Sequence, residues 1–320
     1  MRLIIIGSGL AGSLAAEYFR SFKPEVYDAR PDGLSFLSNH SAVLRLKTRE
    51  AGDITGRGVT EIKIKKEIYH EGKHHSSSNI MLDNLYSRKV SNNIEARSIT
   101  KVSPCVETRF LLNDFEPRYT GKTELKGVDL NKKALRFIQH NAEELSFDKD
   151  YDFVISTIPL PVMIRITGAY SKEEFRNFPI FVTKVKYDIP TIGVHQTIYF
   201  PGDETPAYRA TLEYGTLTVE SVNQPANDLE IFEKAFGLTG IKPVNSAGGS
   251  QTLGKIVDID EVERKRLLNY FTTKHKIFSL GRYAIWKNIK TDDLIKDLRR
   301  IDEMMKVDLS VIQYDARRMK

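Results

Sequence analysis

Cysteine is nearly absent: Cys105 is the single thiol in 320 residues, so no intramolecular disulfide can staple the fold. No apolar run approaches the ~20 residues that a membrane-spanning helix needs. The chain opens Met1-Arg2 and enters an apolar strand at once, leaving no room for a signal or transit peptide. A cytoplasmic protein that does not enter the membrane is therefore expected. Internal repeats and low-complexity tracts are also missing. So are the G-x-S-x-G, H-E-x-x-H and P-loop patterns, which removes the commonest hydrolase, zinc-protease and nucleotide-triphosphatase readings.

What remains is an ordinary globular composition, 41% hydrophobic and 28% charged, enough apolar material for a substantial core rather than a disordered chain. The net charge is +6. Many basic residues crowd Arg45–Lys89, among them Lys47, Arg49, Arg57, Lys63, Lys65, Lys66, Lys73 and Arg88, and Arg317, Arg318 and Lys320 end the chain. A surface attracting phosphates, DNA included, and a merely solvated basic face both fit this pattern.

The first thirty residues carry the strongest signal. Residues 2–6 form a β-branched apolar run expected to be a buried parallel strand. Gly7-Ser8-Gly9-Leu10-Ala11-Gly12 follows, then a helix over about 13–22 with Leu14, Ala15, Tyr18 and Phe22 at helical spacing, stopped by Pro24. Residues 25–29 supply a second strand ending on Asp28-Ala29. A lone G-x-G-x-x-G is weak, but here strand, turn, helix, strand and terminal acid all stand in order. Gly7 permits the tight turn, Gly9 admits a pyrophosphate against the backbone, and Gly12 lets helix and strand pack closely. The helix N-terminus offers unpaired N–H groups to the phosphates. Asp28 suits a ribose diol, which fits FAD or NAD and disfavours NADP.

Further along, Val59–Ile68 reads as a half-exposed strand and residues 70–79 as a polar loop. Two strand-like stretches flank a turn at Asn131–Lys133 within Leu125–Ile138. Residues 152–157 form another buried strand, and Pro159 and Pro161 turn the chain out of the sheet. Residues 178–222 read as an antiparallel sheet including Thr191–Phe200 and Thr216–Val222. Helices are expected at about 227–236, 260–274 and from Thr291 to about 304, with Ile277–Leu280 as a strand before Gly281-Arg282.

These residues resemble the flavin amine oxidase superfamily, which includes UDP-galactopyranose mutases and protoporphyrinogen oxidases. Met1–Arg30 is similar to its N-terminus, with Asp28-Ala29-Arg30 matching the acid that ends the second strand. Tyr151–Leu160 is similar to the strand re-entering the cofactor domain. Tyr199-Phe200-Pro201 with Ala207-Tyr208-Arg209 resembles a strand pair lining the substrate cavity, and Leu280–Tyr283 resembles the C-terminal flavin-contacting element. The superfamily's Gly-Gly-x-x-Arg stretch is missing: residues 31–45 offer only Gly33 and then Arg45.

The resemblance implies FAD as cofactor. The implied fold is α/β: a Rossmann-like FAD-binding domain with a discontinuous second domain built on a mostly antiparallel sheet. The FAD-binding parts are 1–58, 120–165 and 270–320, with a helical or loop insertion and substrate region at 59–119 and a substrate domain at 166–269. Cofactor contacts are expected from Gly7 to Gly12, Asp28, Ala29, Arg30, Arg45, Thr157, Gly281 and Arg282.

Catalytic candidates are His40, Tyr208 and Arg209. His40 falls where the superfamily's chain passes the flavin ring, as a proton carrier or a structural hydrogen-bonding group. Arg209 would hold an anionic substrate group, or make an ordinary surface ion pair. Tyr187, Tyr199, Tyr208, Tyr283 and Trp286 line a cavity or fill the core. His70, His74 and His75 lack the companions of a metal site, so no metal is expected. Cys105 reads as a small buried hydrophobe.

The implied reaction is oxidation of a C–N bond by an amine-oxidase-type flavoenzyme. Asn84–Val90 with Ala96–Ile99 also resembles flavoproteins of tailed phages that trim an amino acid attached to thymine. That implies a base-attached amine as substrate and DNA as partner. A mutase-like reaction on a nucleotide sugar and a non-catalytic flavin-binding module are the rivals.

Overall fold

The computed structural model describes residues 1–29, 45–94, 99, 106–112, 121–140, 145–190 and 194–318. In chain order the first half comprises β1 (Leu3–Ile6), α1 (Leu10–Tyr18), β2 (Glu25–Tyr27), α2 (Glu50–Thr55), β3 (Val59–His70), β4 (Lys73–His75), α3 (Ile80–Ser91), β5 (Glu107–Leu112), β6 (Thr123–Asp129), β7 (Ala134–Gln139), β8 (Leu145–Asp150), β9 (Phe153–Ser156) and α4 (Leu160–Thr167). The second half comprises β10 (Asn177–Tyr187), β11 (Val194–Tyr199), β12 (Ala207–Glu213), β13 (Thr216–Val222), α5 (Leu229–Phe236), β14 (Pro243–Ile256), α6 (Glu261–Asn269), β15 (Ile277–Ser279) and α7 (Thr291–Arg318).

β1 runs at the centre of a four-stranded sheet of order β15-β9-β1-β2, parallel throughout. Its side chains alternate between two cores. Leu3 and Ile5, with Ile155 and Phe278, pack against Leu14 and Ala15 of α1 and Leu294, Ile295 and Leu298 of α7. Ile4 and Ile6, with Val154 and Ile277, pack against Leu125, Leu135 and Phe137 of the antiparallel β6-β7-β8 meander. A strand covered on both faces must be apolar throughout, which is why β1 and β9 read as continuous hydrophobic runs. Each such fully buried side chain contributes about 1.5–3 kcal/mol.

The second sheet has eight strands, ordered β14-β10-β13-β12-β11-β3-β4 with β5 also on β3. It is antiparallel except where β3 meets β11. One face is apolar: Val185, Ile198, Ala210, Leu217 and Val219 are closed over by Phe232, Ala235 and Phe236 of α5. The other face is polar, with a cross-strand row Lys66, Thr197, Thr211, Thr218, Lys184.

Several local expectations are revised. Residues 70–79 are not simply loop: Glu71 and Gly72, both at positive φ, turn the chain into β4, and Asn79 caps α3 by accepting from Leu82 N at 2.9 Å. Pro159 and Pro161 do end the sheet, but they start α4, where the early helical positions need no N–H donor. The helix expected over 260–274 stops being regular at Asn269 and finishes as a π turn over Tyr270–Lys274. The final helix runs past 304 to Arg318. β14, rich in glycine and small polar residues, and the charged β8 carry little apolar alternation and escape sequence reading. No helix among the described residues is long and apolar enough to cross a membrane.

Candidate functional site

A cleft of about 580 Å³ opens at the C-terminal ends of β1, β9 and β15, the place where parallel sheets hold ligands. Its floor is the glycine turn. Gly7 adopts φ +91°, and a Cβ there would stand 2.2 Å from Thr157 Oγ1. A Cβ on Gly12 would stand 1.8 Å from the Gly7 carbonyl oxygen, whereas one on Gly9 meets nothing within 4 Å. Gly12 is therefore required by the approach of α1 to β1, and the Gly9 backbone is bare towards the cleft. Gly9 is also the N-cap of α1, so unpaired N–H groups of the first turn open onto the same space.

Asp28 lines the cleft and is buried. Its Oδ2 accepts hydrogen bonds from Ser8 N at 2.6 Å and Ser8 Oγ at 2.8 Å, which fixes the carboxylate against the glycine turn. Opposite lie Gly281, at φ +93°, and Arg282, whose guanidinium sits 4.6 Å over the Tyr283 ring and donates to its hydroxyl. Lys290 and Thr291 bring in the N-terminus of α7, and Leu253 reaches over from β14. Two helix N-termini, Arg282, Lys290 and the Asp28 carboxylate thus border a cleft whose remaining sides are mostly apolar. This is a cradle for an extended, doubly negative dinucleotide. The cleft lies within the 300–1,000 Å³ usual for cofactor sites, and the donor set fits FAD.

Thr291 also lines a second, smaller pocket of about 210 Å³ on the polar face of the large sheet. Arg45, Lys66, Arg109 and Arg209 all border it. Arg45 Nε donates to Glu213 Oε1 at 3.0 Å and Nη1 to Thr197 Oγ1 at 2.6 Å. Burial pulls the Arg45 guanidinium below its usual range, with nearby Arg209 adding to the effect against the opposing pull of Glu213. Arg209 Nη2 donates to both oxygens of Glu220, at 2.6 and 2.7 Å. Burial by itself pushes the Glu220 carboxyl up. Arg209 and Lys255, with hydrogen bonds from Arg209 and Tyr208, overcome that and hold it below the carboxylate range.

The expected site residues therefore divide. Gly7, Gly9, Leu10, Ala11, Asp28, Thr157, Gly281 and Arg282 surround the large cleft. Ser8 and Gly12 stand behind it as supports. Ala29 is exposed at the end of β2 and does not border the cleft. Arg45, expected at the cofactor, borders the small pocket instead, because Glu213 and Thr197 draw it onto the second sheet. Of its two expected places, lining a cavity or filling the core, Tyr208 takes the second: its ring is fully buried and its hydroxyl donates to Glu220, so it steadies the carboxylate that holds Arg209. Arg30, Gly33, His40 and Cys105 lie outside the described residues.

The basic stretch around 45–89 is largely ion-paired, with Arg49 and Lys63 on Glu61, Lys65 on Glu67 and Lys66 on Glu107. Lys89 is turned inward. Among the described residues no three His, Cys, Asp or Glu side chains are grouped to hold a metal. Sequence reasoning missed Leu253, Lys290 and Glu213. Only Lys290 carried a local signal, as the residue before the expected start of α7.

Fold and cleft together define a class, the dinucleotide-binding proteins whose parallel sheet is partnered by a large, mostly antiparallel second sheet. Within that class, the chain is similar to a crystal structure of reduced UDP-galactopyranose mutase, with a TM-score of 0.68 at 16% identity over 96% of this chain and 94% of that one. It is also similar to a fatty acid isomerase from P. acnes that produces CLA (TM-score 0.59, 11% identity, 94% and 98% covered). An oxidoreductase from Methanosarcina mazei shares the architecture too (TM-score 0.57, 11% identity, 95% and 100% covered). The sequence matches no protein-family model and no curated protein. At these identities the likeness establishes the fold.

Proposed function

We propose that the chain is an FAD-dependent oxidoreductase that holds its cofactor along the β1–β9–β15 cleft and its substrate against the polar face of the second sheet. The observation that carries this reading is the shared Thr291. The N-terminus of α7 borders both the dinucleotide cleft and the small basic pocket, so the two spaces adjoin at Thr291. FAD supplies two-electron chemistry at its flavin ring; the protein supplies position and electrostatics. Gly9 and the α1 N-terminus would take the pyrophosphate, and Asp28 the adenosine ribose. Gly281, Arg282 and Thr291 would face the flavin end.

The finer reading is oxidation of a C–N bond in an amine substrate. It needs a cavity that presents a C–H bond to the flavin and excludes water, and no dedicated acid–base pair. The ion pairing of the 45–89 stretch gives little support to a base-attached amine in DNA. A mutase-like flavoenzyme acting on a nucleotide sugar is the second reading, favoured by the likeness to reduced UDP-galactopyranose mutase.

The absorbance spectrum of the protein as purified, with mass spectrometry of the released cofactor, tests the shared claim. A flavin spectrum and an FAD mass are expected, and a colourless protein that fails to take up added FAD would sink it. Anaerobic bleaching by amines, against turnover only after dithionite reduction, separates the two readings.

A further inference from the structure

The last helix is longer than the core requires. Among the described residues Met305 is the last of α7 to enter the core, yet the helix runs on to Arg318. A helical stretch of about 12–15 residues or fewer is marginal in water by itself, so the second half of α7 calls for a neighbour. The sequence supplies an apolar row for one. Met304, Val307, Val311 and Tyr314 follow one another at spacings of three and four. Positions 304, 307, 311 and 314 therefore share one helix face, like the a and d positions of a coiled coil. At its start this row stands outside the core, with Met304 41% and Val307 64% exposed.

Met304 and Val307 form one wall of a groove of about 330 Å³, and Thr272 and Phe278 belong to the other. Lys276 Nζ, 2.9 Å from both carboxylate oxygens of Asp308, closes one rim and neutralises that acid. An apolar groove beside an apolar helix row is the shape that receives a second helix. The flanking charges select which one. With 304 and 311 as a positions, Glu303, Ser310 and Arg317 fall at g. In an antiparallel pair of identical helices g meets g, so Glu303 of each copy faces Arg317 of the other, with Ser310 at the two-fold axis. In a parallel pair g meets the e position five residues on, and Glu303 would face Asp308, a like charge. Charges at e and g set partner and orientation, and here they are self-complementary in the antiparallel sense alone.

We propose that α7 is a dimerisation helix whose second half packs antiparallel against the same segment of a second copy of this chain. Positions 307 and 311 lie at the centre of the contact, and a Glu303–Arg317 ion pair closes each end. The contact is isologous and ends with two copies. It spans only two heptads, but the first half of α7 is already held by the core, which keeps the ordering cost of association small. The proposal is independent of the flavoenzyme reading.

Sedimentation velocity of the full chain over a wide range of concentrations tests it, and a reversible monomer–dimer equilibrium is expected. Val307→Glu should weaken the dimer about tenfold or more, as for a central apolar contact, with an unchanged urea midpoint because the side chain is largely exposed. Glu303→Arg and Arg317→Glu should each weaken it several-fold by setting like charges at both ends. An equimolar mixture of these two variants should regain the parent affinity, because the mixed pair has opposite charges at both ends. A chain that stays monomeric at every concentration overturns the proposal, as does a dimer indifferent to Val307→Glu. Failure of the mixture to recover overturns the antiparallel arrangement on which the proposal stands.

Discussion

At the scale of single residues, the glycines of the first turn have different tasks, and substitution should separate them. A methyl group on Gly12 would stand 1.8 Å from the Gly7 carbonyl oxygen, which forces α1 away from β1. A methyl group on Gly9 touches no protein atom within 4 Å, and the Gly9 backbone, at φ −62° and ψ −176°, is open to any residue. We predict that Gly12→Ala lowers the thermal midpoint of the protein without added cofactor, while Gly9→Ala leaves that midpoint unchanged and weakens FAD binding tenfold or more. Equal behaviour of the two variants would refute the assignment of Gly9 to the pyrophosphate. These roles were legible in the sequence because the motif is local, with every partner of Gly7 but Thr157 within about twenty residues. Glu213 and Glu220 were not, since nothing in the sequence says which carboxylate will be buried beside which arginine.

Glu220 also fixes a pH dependence. Its carboxyl is held below the usual carboxylate range in the folded chain, where burial opposes ionisation but Arg209 and Lys255 outweigh it. A depressed carboxylate contributes stability that is present above its unfolded value, about 4.3, and is lost as pH falls through the folded value. We predict that urea stability declines on acidification below about pH 4.3 partly through this group. Glu220→Gln should be less stable at pH 7 by about 3–5 kcal/mol, the cost of leaving a buried partner charge alone. It should lose less than the parent protein between pH 5 and pH 3. Parallel pH profiles for the two proteins would rule out the role.

At the scale of elements, α3 packs on the second sheet through Leu82, Tyr86 and Val90, and one inward-turned lysine adds a polar tie. Lys89 Nζ donates to the carbonyls of Phe200, Thr205 and Ala207 at 2.7, 3.0 and 3.0 Å, and to that of Gly202. It thereby gathers the chain between β11 and β12, directly before Arg209. We predict that Lys89→Met destabilises the protein by about 1–3 kcal/mol, since the buried carbonyls lose their donor, with Lys89→Arg a poor substitute for a point donor. Urea denaturation provides the measurement, and wild-type stability in Lys89→Met would show that water serves these carbonyls equally well. In sequence, Lys89 looked like one more surface charge in a basic stretch, and only the fold turns it inward. β1, α1 and β9 were readable because continuous apolar runs and glycine punctuation determine them locally. The pairing of β3 with β11 was not, because a period of two identifies a strand without naming a neighbour some 130 residues away.

At the scale of the whole molecule, the dinucleotide cleft is shared property. Most of its wall belongs to the parallel-sheet unit, but Leu253 comes from β14 at the edge of the second sheet, and Thr291 continues into the basic pocket. A ligand filling this cleft therefore touches both sheets and should stabilise them together. Binding to the folded state alone adds about 2.7 kcal/mol at a free concentration 100 times Kd. We predict that free FAD at that excess raises the urea-derived stability of the cofactor-free protein by about this amount. The distribution of the gain is more telling than its size. Amide hydrogen exchange should slow at Gly9–Gly12 and around Gly281, and also around Leu253 and in the first turn of α7. A cofactor that contacted only the glycine turn would protect α1 and leave β14 exchanging as before. That outcome would confine the site to a nucleotide-binding corner, whereas protection on both sheets would place the reactive end of the cofactor beside the polar face that carries Arg45 and Arg209.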